Sequence, residues 1–206
     1  MTDKSVLRRL QIMSTKETST ARERIIETAL KLFYGQGYLA TGINQIIAES
    51  QVAKATFYAQ FPSKEDLCIA YLQARHHRWM GWLRESVESH PVGPARLLGV
   101  FSFLRQWMAE SDYRGCAFLN IATEVPAMDS RIRSEVIRHK DGLQRYLAGI
   151  IQESIPVEGG AKPINPEGLA GIVYVLVEGA IVASQNYHAA WPIDHAQEAI
   201  EKLVGR

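Results

Sequence analysis

Between positions 54 and 64 the chain sets Lys54, Ala55, Thr56, Tyr58, Gln60 and Lys64 close together. These residue types suit contact with a polyanion. Ammonium groups neutralise phosphates, hydroxyl and amide groups bond to phosphate oxygens or base edges, and a small alanine lets the backbone approach a groove. Gln60 carries the donor and acceptor pair that matches an adenine edge. On any amphipathic helical hairpin the same residues would simply face solvent, so the element that carries them decides between the two readings.

Two short helices and a tight turn are written into the surrounding sequence. Thr41 precedes Ile43, Ile46 and Ile47, spaced three and four apart, which predicts a hydroxyl N-cap and a helix with one buried face. Gln51 interrupts it, Val52 anchors the turn, and a second helix is expected over 53–60 with Phe57 and Phe61 on its apolar side. Pro62 stops that helix. Ser63 with Asp66 has capping-box spacing, so Lys64 falls in the first turn of the next helix, where backbone donors and a cation together suit a phosphate. Upstream, Thr20 and Glu23 form a second capping-box pattern, and Ile26, Ala29, Leu30 and Phe33 make a helical stripe ending at Gly35 and Gly37.

In register and without a gap, Thr41, Ile46, Val52, Thr56, Phe57, Tyr58, Phe61, Ser63, Lys64, Glu65 and Leu67 resemble the helix-turn-helix domain of the TetR family of transcriptional regulators. That resemblance implies an N-terminal DNA-binding domain followed by a helical effector-binding and dimerisation domain. It implies phosphate contacts from Thr41, Tyr58 and Lys64, a DNA-facing Gln45, and groove-facing Lys54, Ala55, Thr56 and Gln60. It also implies operator DNA, a small effector and a second copy of the chain as partners. Gln51, Ala53, Ala55 and Gln60 depart from the family's usual glycine, serine, glycine and histidine. A left-handed Gln51 costs about 1 kcal/mol, and alanine at a cap roughly 0.5–2 kcal/mol. Ala55 and Gln60 alter the reading surface, hence the operator sequence and not the mode of binding.

Composition excludes little but orders the rest. With 47% hydrophobic and 22% charged residues, the 206-residue chain falls among soluble globular proteins, and a net charge of +1 gives no global signal for nucleic acid. Any DNA affinity must therefore come from local placement of Arg22, Lys54 and Lys64, with Arg8 and Arg9 as a basic arm or as part of a tail without a role. Two cysteines, Cys68 and Cys116, make no disulfide framework or metal spacing. Cys116, beside Arg114 in the sequence, reads as a redox or electrophile sensor or as a buried thiol. The adjacent His76 and His77 diverge on a helix, and no metal or cofactor is expected. No signal peptide is apparent, which predicts a cytoplasmic protein. The apolar stretch before Glu178 is too short to span a bilayer, so a buried helix and no membrane contact are expected.

The architecture expected is all-α, with about nine helices. A flexible segment over 1–19 precedes a DNA-binding domain over 20–66 and an effector-binding and dimerisation domain over 67–206. A long helix over 64–89 links the two. Further helices are expected near 95–110, 115–125, 128–154, 166–188 and 193–204, with a glycine- and proline-rich loop between positions 156 and 166. In the second domain Trp79, Trp82, Phe101, Phe103, Trp107, Met108, Phe118 and Tyr174 either line a cavity for an apolar or aromatic ligand or pack as ordinary core. Gly171, Val175, Glu178, Gly179, Val182 and Ala183, with Ile200 and Leu203, resemble the family's four-helix dimer interface; an internal core helix is the competing reading. The run from Arg114 to Asn120 resembles a pattern frequent in some of the family's C-terminal domains. No nucleophile–base motif, phosphate loop or metal cluster supports the alternative of a helical enzyme or small-molecule carrier.

Overall fold

Thr20 opens the first helix as its spacing predicts. Its backbone N–H donates to the Glu23 carboxylate at 2.8 Å, and the Glu23 N–H donates to the Thr20 hydroxyl at 3.2 Å. The computed structural model describes residues 19–125, 127, 130–154 and 166–204. Arg8, Arg9 and residues 156–165 lie outside that set. Helix α1, Ala21–Gln36, buries Ile25, Ala29, Leu30 and Phe33, so its inner stripe begins at Ile25 and not at Ile26. Gly37 ends it at φ 100°, a backbone state that favours glycine.

Helix α2, Ile43–Ser50, and helix α3, Lys54–Gln60, both pack on α1. Phe33 at their centre meets Tyr38 and Tyr71 edge-on, with ring centroids 5.4 and 5.3 Å apart. Helix α4, Lys64–Glu88, follows, and within it falls the division of the chain into two compact units, Met1–Tyr71 and Leu72–Arg206.

The second unit contains α5, Pro94–Glu110, α6, Ala117–Glu124, α7, Arg131–Ser154, α8, Pro166–Tyr187, and α9, Trp191–Leu203. Proline occupies the first turn of both α5 and α9, where its missing N–H costs nothing. Helix α8 packs against α7 and α9, while α5 lies against α7, α8 and α9. Leu97, Phe101, Leu104, Met108, Leu143, Leu147, Val173, Val177, Ile193 and Ile200 fill the space between them. All nine elements among the described residues are helices, in agreement with the all-α expectation.

Helix α8 corrects the reading of its own stretch. It runs unbroken through Glu178 for 22 residues and is long and apolar enough, by length and composition, to cross a membrane. Only one face is buried, through Leu169, Val173, Val177 and Ile181; Ile172, Val175 and Val182 are exposed on another.

Candidate nucleic-acid interface and internal cavity

The turn between α2 and α3 takes the shape that the sequence strains against. Gln51 sits in the left-handed region at φ 55° and ψ 46°, closing α2 through hydrogen bonds from its N–H to the carbonyls of Ala48 and Ile47. Arg24 of α1 supports the same corner. Its side chain donates to the Ser50 carbonyl at 3.3 Å and to the Ser19 carbonyl at 3.0 Å. The sequence reasoning missed this clamp, because the partners are backbone oxygens that no residue type announces. Ala53 caps α3 without any side-chain bond, as an alanine must.

Helix α3 then divides cleanly. Phe57 is fully buried and Phe61 nearly so, while Lys54, Ala55, Tyr58 and Gln60 are exposed and Thr56 is half-buried. The Arg22 guanidinium lies 5.1 Å from the centre of the Phe61 ring, covering the helix end. Ser63 accepts from the Asp66 N–H at 3.0 Å, and its hydroxyl donates to the Asp66 carboxylate at 2.6 Å. The pair thus joins Ser63 and Asp66 at the spacing that the sequence predicts. The Lys64 ammonium lies 4.5 Å from the centre of the Tyr38 ring and donates to the Leu39 carbonyl at 3.4 Å.

Two expectations for this region need correction. Gly42, and not Thr41, is the N-cap of α2. Thr41 has no exposed surface, donates to the Gly37 carbonyl at 2.6 Å and accepts from the Gln36 amide at 3.1 Å. In this conformation its hydroxyl braces the entry to α2 and cannot reach a phosphate. Gln45 is half-buried and tied to Gln36, whose amide donates to it at 2.7 Å, and to the Glu49 carboxylate at 2.9 Å. A DNA contact from Gln45 would share an amide already engaged with Gln36 and Glu49.

In the second unit a small cavity of about 10 Å³, enough for roughly one water molecule, is bordered by Trp79, Trp107, Cys116, Phe118, His139, Lys140 and Glu178 among others. Three of the aromatic residues expected to line a pocket, Trp79, Trp107 and Phe118, meet here. Phe101 and Met108 are core residues away from its wall, Tyr174 is half-buried outside it, and Trp82 is 39% exposed on the surface. Helical phase separates Trp82 from Trp79: three residues turn the side chain off the inner face when the stripe continues through Leu83.

The polar residues around this cavity were the larger omission. His139 stacks on Phe118 with centroids 3.6 Å apart and planes 3° off parallel, and its Nδ1 is 3.0 Å from that of His76. Burial, reinforced by the charges of Lys140, His76 and Arg75, pushes the His139 pKa down to about 2, so the ring is neutral. The Lys140 ammonium donates to both Glu178 oxygens, at 2.6 and 2.8 Å, and approaches the Cys116 sulfur at 3.5 Å. Burial opposes that ammonium, but attraction from Cys116 and Glu178 prevails and raises its pKa. Cys116 is buried, and the cation beside it is Lys140, remote in sequence. No group of three or more metal-ligating side chains occurs among the described residues.

Residues 25–71, which hold the helices and turn just described, match the family description "Bacterial regulatory proteins, tetR family". Residues 93–200 match "Tetracyclin repressor-like, C-terminal domain". The chain belongs to the TetR family of transcriptional regulators. An uncharacterised HTH-type transcriptional regulator of Bacillus subtilis, YxaF, is 52% identical over 191 residues, spanning 89% of this chain and 95% of its own. The HTH-type regulator LmrA of the same organism is 27% identical over 192 residues, covering 90% and 97%. Among solved structures, a TetR-family regulator from Streptomyces coelicolor superimposes with a TM-score of 0.77 at 25% identity, covering 90% of this chain and 96% of that one.

On the outer face of α8 in this TetR-family chain, Val175 is 66% exposed and Val182 41%, with Gly179 exposed between them. Leu203 of α9 is exposed as well, and Gly171 and Ala183 are half-buried. Ile172, 45% exposed, joins this stripe one turn before Val175 and was missed, although its spacing of three from Val175 marks it. Two residues leave the expected set. Ile200 is fully buried within the unit, and Glu178 is turned inward by its bonds to Lys140. The run from Arg114 to Asn120 is tied to itself and to α8, since the Asn120 amide donates to the Arg114 carbonyl at 3.2 Å and accepts from Gln185 at 3.3 Å.

Proposed function

We propose that this TetR-family regulator is a repressor that binds a palindromic operator as a homodimer and leaves it when a small effector occupies the second unit. The observation that carries the reading is the division of α3, which keeps Lys54, Ala55, Tyr58 and Gln60 exposed on a helix anchored by fully buried Phe57. Ammonium, phenol and amide groups on one short, rigid element match groove entry and phosphate contact. Thr56 edges the same face, and Lys64 flanks it from the first turn of α4. Residues 20–66 form the DNA-binding domain in this reading, 67–206 the effector and dimer domain, and the protein works in the cytoplasm. Relatives named as repressors, DhaR of a Mycobacterium strain and NemR of Escherichia coli, at 23% and 22% identity, support the sign of regulation.

A dimer follows from two needs. One short reading helix touches few bases, so two half-sites are required. The exposed apolar stripe Ile172, Val175, Gly179 and Val182, with Leu203, supplies a surface on which two α8 helices approach closely at Gly179. The effector is apolar or aromatic and enters beside Trp79, Trp107 and Phe118, enlarging a cavity of about 10 Å³, room for roughly one water molecule. Effector and operator affinities are then reciprocally coupled.

A mobility-shift assay with salt titration on the DNA upstream of the chain's own gene tests the reading. Joint replacement of Lys54, Tyr58 and Lys64 by alanine should abolish the shift, while Gln60→Ala should alter sequence preference. No shift at low salt, or one indifferent to the triple replacement, refutes it. Light scattering that returned a monomer at micromolar concentration would refute the interface.

A further inference from the structure

The face formed by α4 and α7 in the second unit carries an open groove of about 340 Å³, lined by His76, Met80, Arg84, Gly142, Arg145 and Tyr146. It is distinct from the internal cavity and larger. Its volume lies in the range of small-molecule sites, which start near 300 Å³. Two features set its chemistry. Arg84 and Arg145 are exposed, and among the described residues neither has a carboxylate within ion-pair distance. Elsewhere in the second unit arginines do engage acids: Arg96 pairs with Glu153, Arg105 with Asp194 and Arg138 with Glu135. The Arg84 guanidinium stands 5.5 Å from the centre of the Tyr146 ring, held over it by the cation–π attraction and so pre-oriented at the groove wall.

Tyr146 supplies the second feature. Its hydroxyl is buried and makes no well-formed hydrogen bond, with the Glu88 carboxylate near it but poorly placed to accept, so a better-placed ligand acceptor would relieve it. Burial first, and then the nearby Glu88 carboxylate, push its pKa up to about 12, so the hydroxyl remains a donor at neutral pH. Met80 and the flat ring of His76 form the remaining walls, and Gly142 keeps the floor low: a Cβ there would lie 3.1 Å from His76 Cε1.

We infer that the groove between α4 and α7 is a binding site for small aromatic carboxylates, with Arg84 and Arg145 taking the carboxylate and Tyr146 donating to it. Guanidinium forks match the two oxygens of a carboxylate, and the soft and flat walls match an aryl ring. The site stands apart from the internal cavity and does not depend on the operator reading. His76 touches the ligand on one side and His139 on the other, at 3.0 Å, so occupancy of the groove reaches the cavity wall through one contact.

The test is a titration of the full-length protein with benzoate, followed by the amide resonances of Gly142 and Tyr146. Saturable shifts are expected, and Arg84→Gln and Arg145→Gln should each weaken binding about tenfold or more, while Lys202→Gln, which removes an exposed charge on α9, leaves it unchanged. Gly142→Ala should weaken it by driving the His76 ring into the groove. Benzyl alcohol, the uncharged counterpart, should not saturate the same shifts. The inference is overturned if benzoate leaves Gly142 and Tyr146 unshifted up to about 20 mM, a concentration beyond which even weak specific sites are filled. It is equally overturned if the arginine variants bind like the parent, if benzyl alcohol binds as well, or if inorganic phosphate matches benzoate. Loss of operator binding with these shifts intact would refute the repressor reading alone.

Discussion

Lys140 and Glu178 form a bidentate ion pair whose side chains are only 12% and 19% exposed, so each charge depends on the other for compensation. At about 4 Å between charge centres and an effective dielectric of about 20, the gross attraction is roughly 4 kcal/mol, and desolvation of both groups offsets much of it. Removing one partner leaves the other buried and uncompensated. Glu178→Leu or Lys140→Met alone should therefore destabilise the protein by about 3–5 kcal/mol. The double variant Lys140→Met/Glu178→Leu removes both charges and replaces them with apolar volume, and should return to within about 1–2 kcal/mol of the parent. Urea unfolding at one fixed chain concentration, which holds any association constant, completes the cycle. A coupling free energy below about 0.5 kcal/mol, or single variants as stable as the parent, would refute the claim that this pair is a buried, mutually dependent unit.

Three further outcomes follow from the same physical chemistry. His139 is neutral in the folded state with a pKa near 2, whereas an unfolded histidine titrates near 6.5; the unfolded state alone gains the proton between these values. Stability should thus fall as pH drops below about 6.5, with a limiting slope of about 1.4 kcal/mol per pH unit from this group, and burial depresses His76 in the same direction. His139→Phe should flatten the slope measured by urea unfolding between about pH 6.5 and 4.5; an unchanged slope would remove His139 as its source. Phe57→Ala, at a site with no exposed surface, should cost about 3–5 kcal/mol in the same assay and abolish operator binding through misplacement of α3. Gly115→Ala should cost more than about 1 kcal/mol, because Gly115 lies at φ 78° and a Cβ there would overlap the Gln185 side chain; thermal unfolding at the parent's midpoint would contradict this.

Periodicity and punctuation made the helices legible. Thr20 with Glu23, Gly37 and Pro62 are local signals, and each acts within a turn of its own position, where sequence spacing and spatial distance coincide. The left-handed Gln51 and the uncapped Ala53 were legible for the same reason, since both are consequences of one residue type at one backbone position. Where local rules met tertiary competition they failed. Thr41 has the type of a cap, yet the Gly37 carbonyl and the Gln36 amide claim its hydroxyl and Gly42 takes the cap position.

Long-range partnerships are the part that only tertiary structure decides. Arg24 reaches backbone oxygen at Ser50, 26 positions away, and Lys140 reaches Glu178, 38 positions away. Neither distance has a sequence signature, because a hydrogen bond depends on where two helices cross and not on how far apart they lie along the chain. The same crossing geometry draws Glu178 inward from a predicted interface, leaves Ile172 outside, and gathers Trp79, Trp107 and Phe118 while excluding Trp82. By itself the sequence determined the family, the helical class and the exposed chemistry of α3, since these rest on residue types at short, fixed spacings. Which buried charges pair, how small the internal cavity is, and where two arginines without ion-pair partners meet a phenol depend on packing between distant helices, and so belong to the folded chain alone.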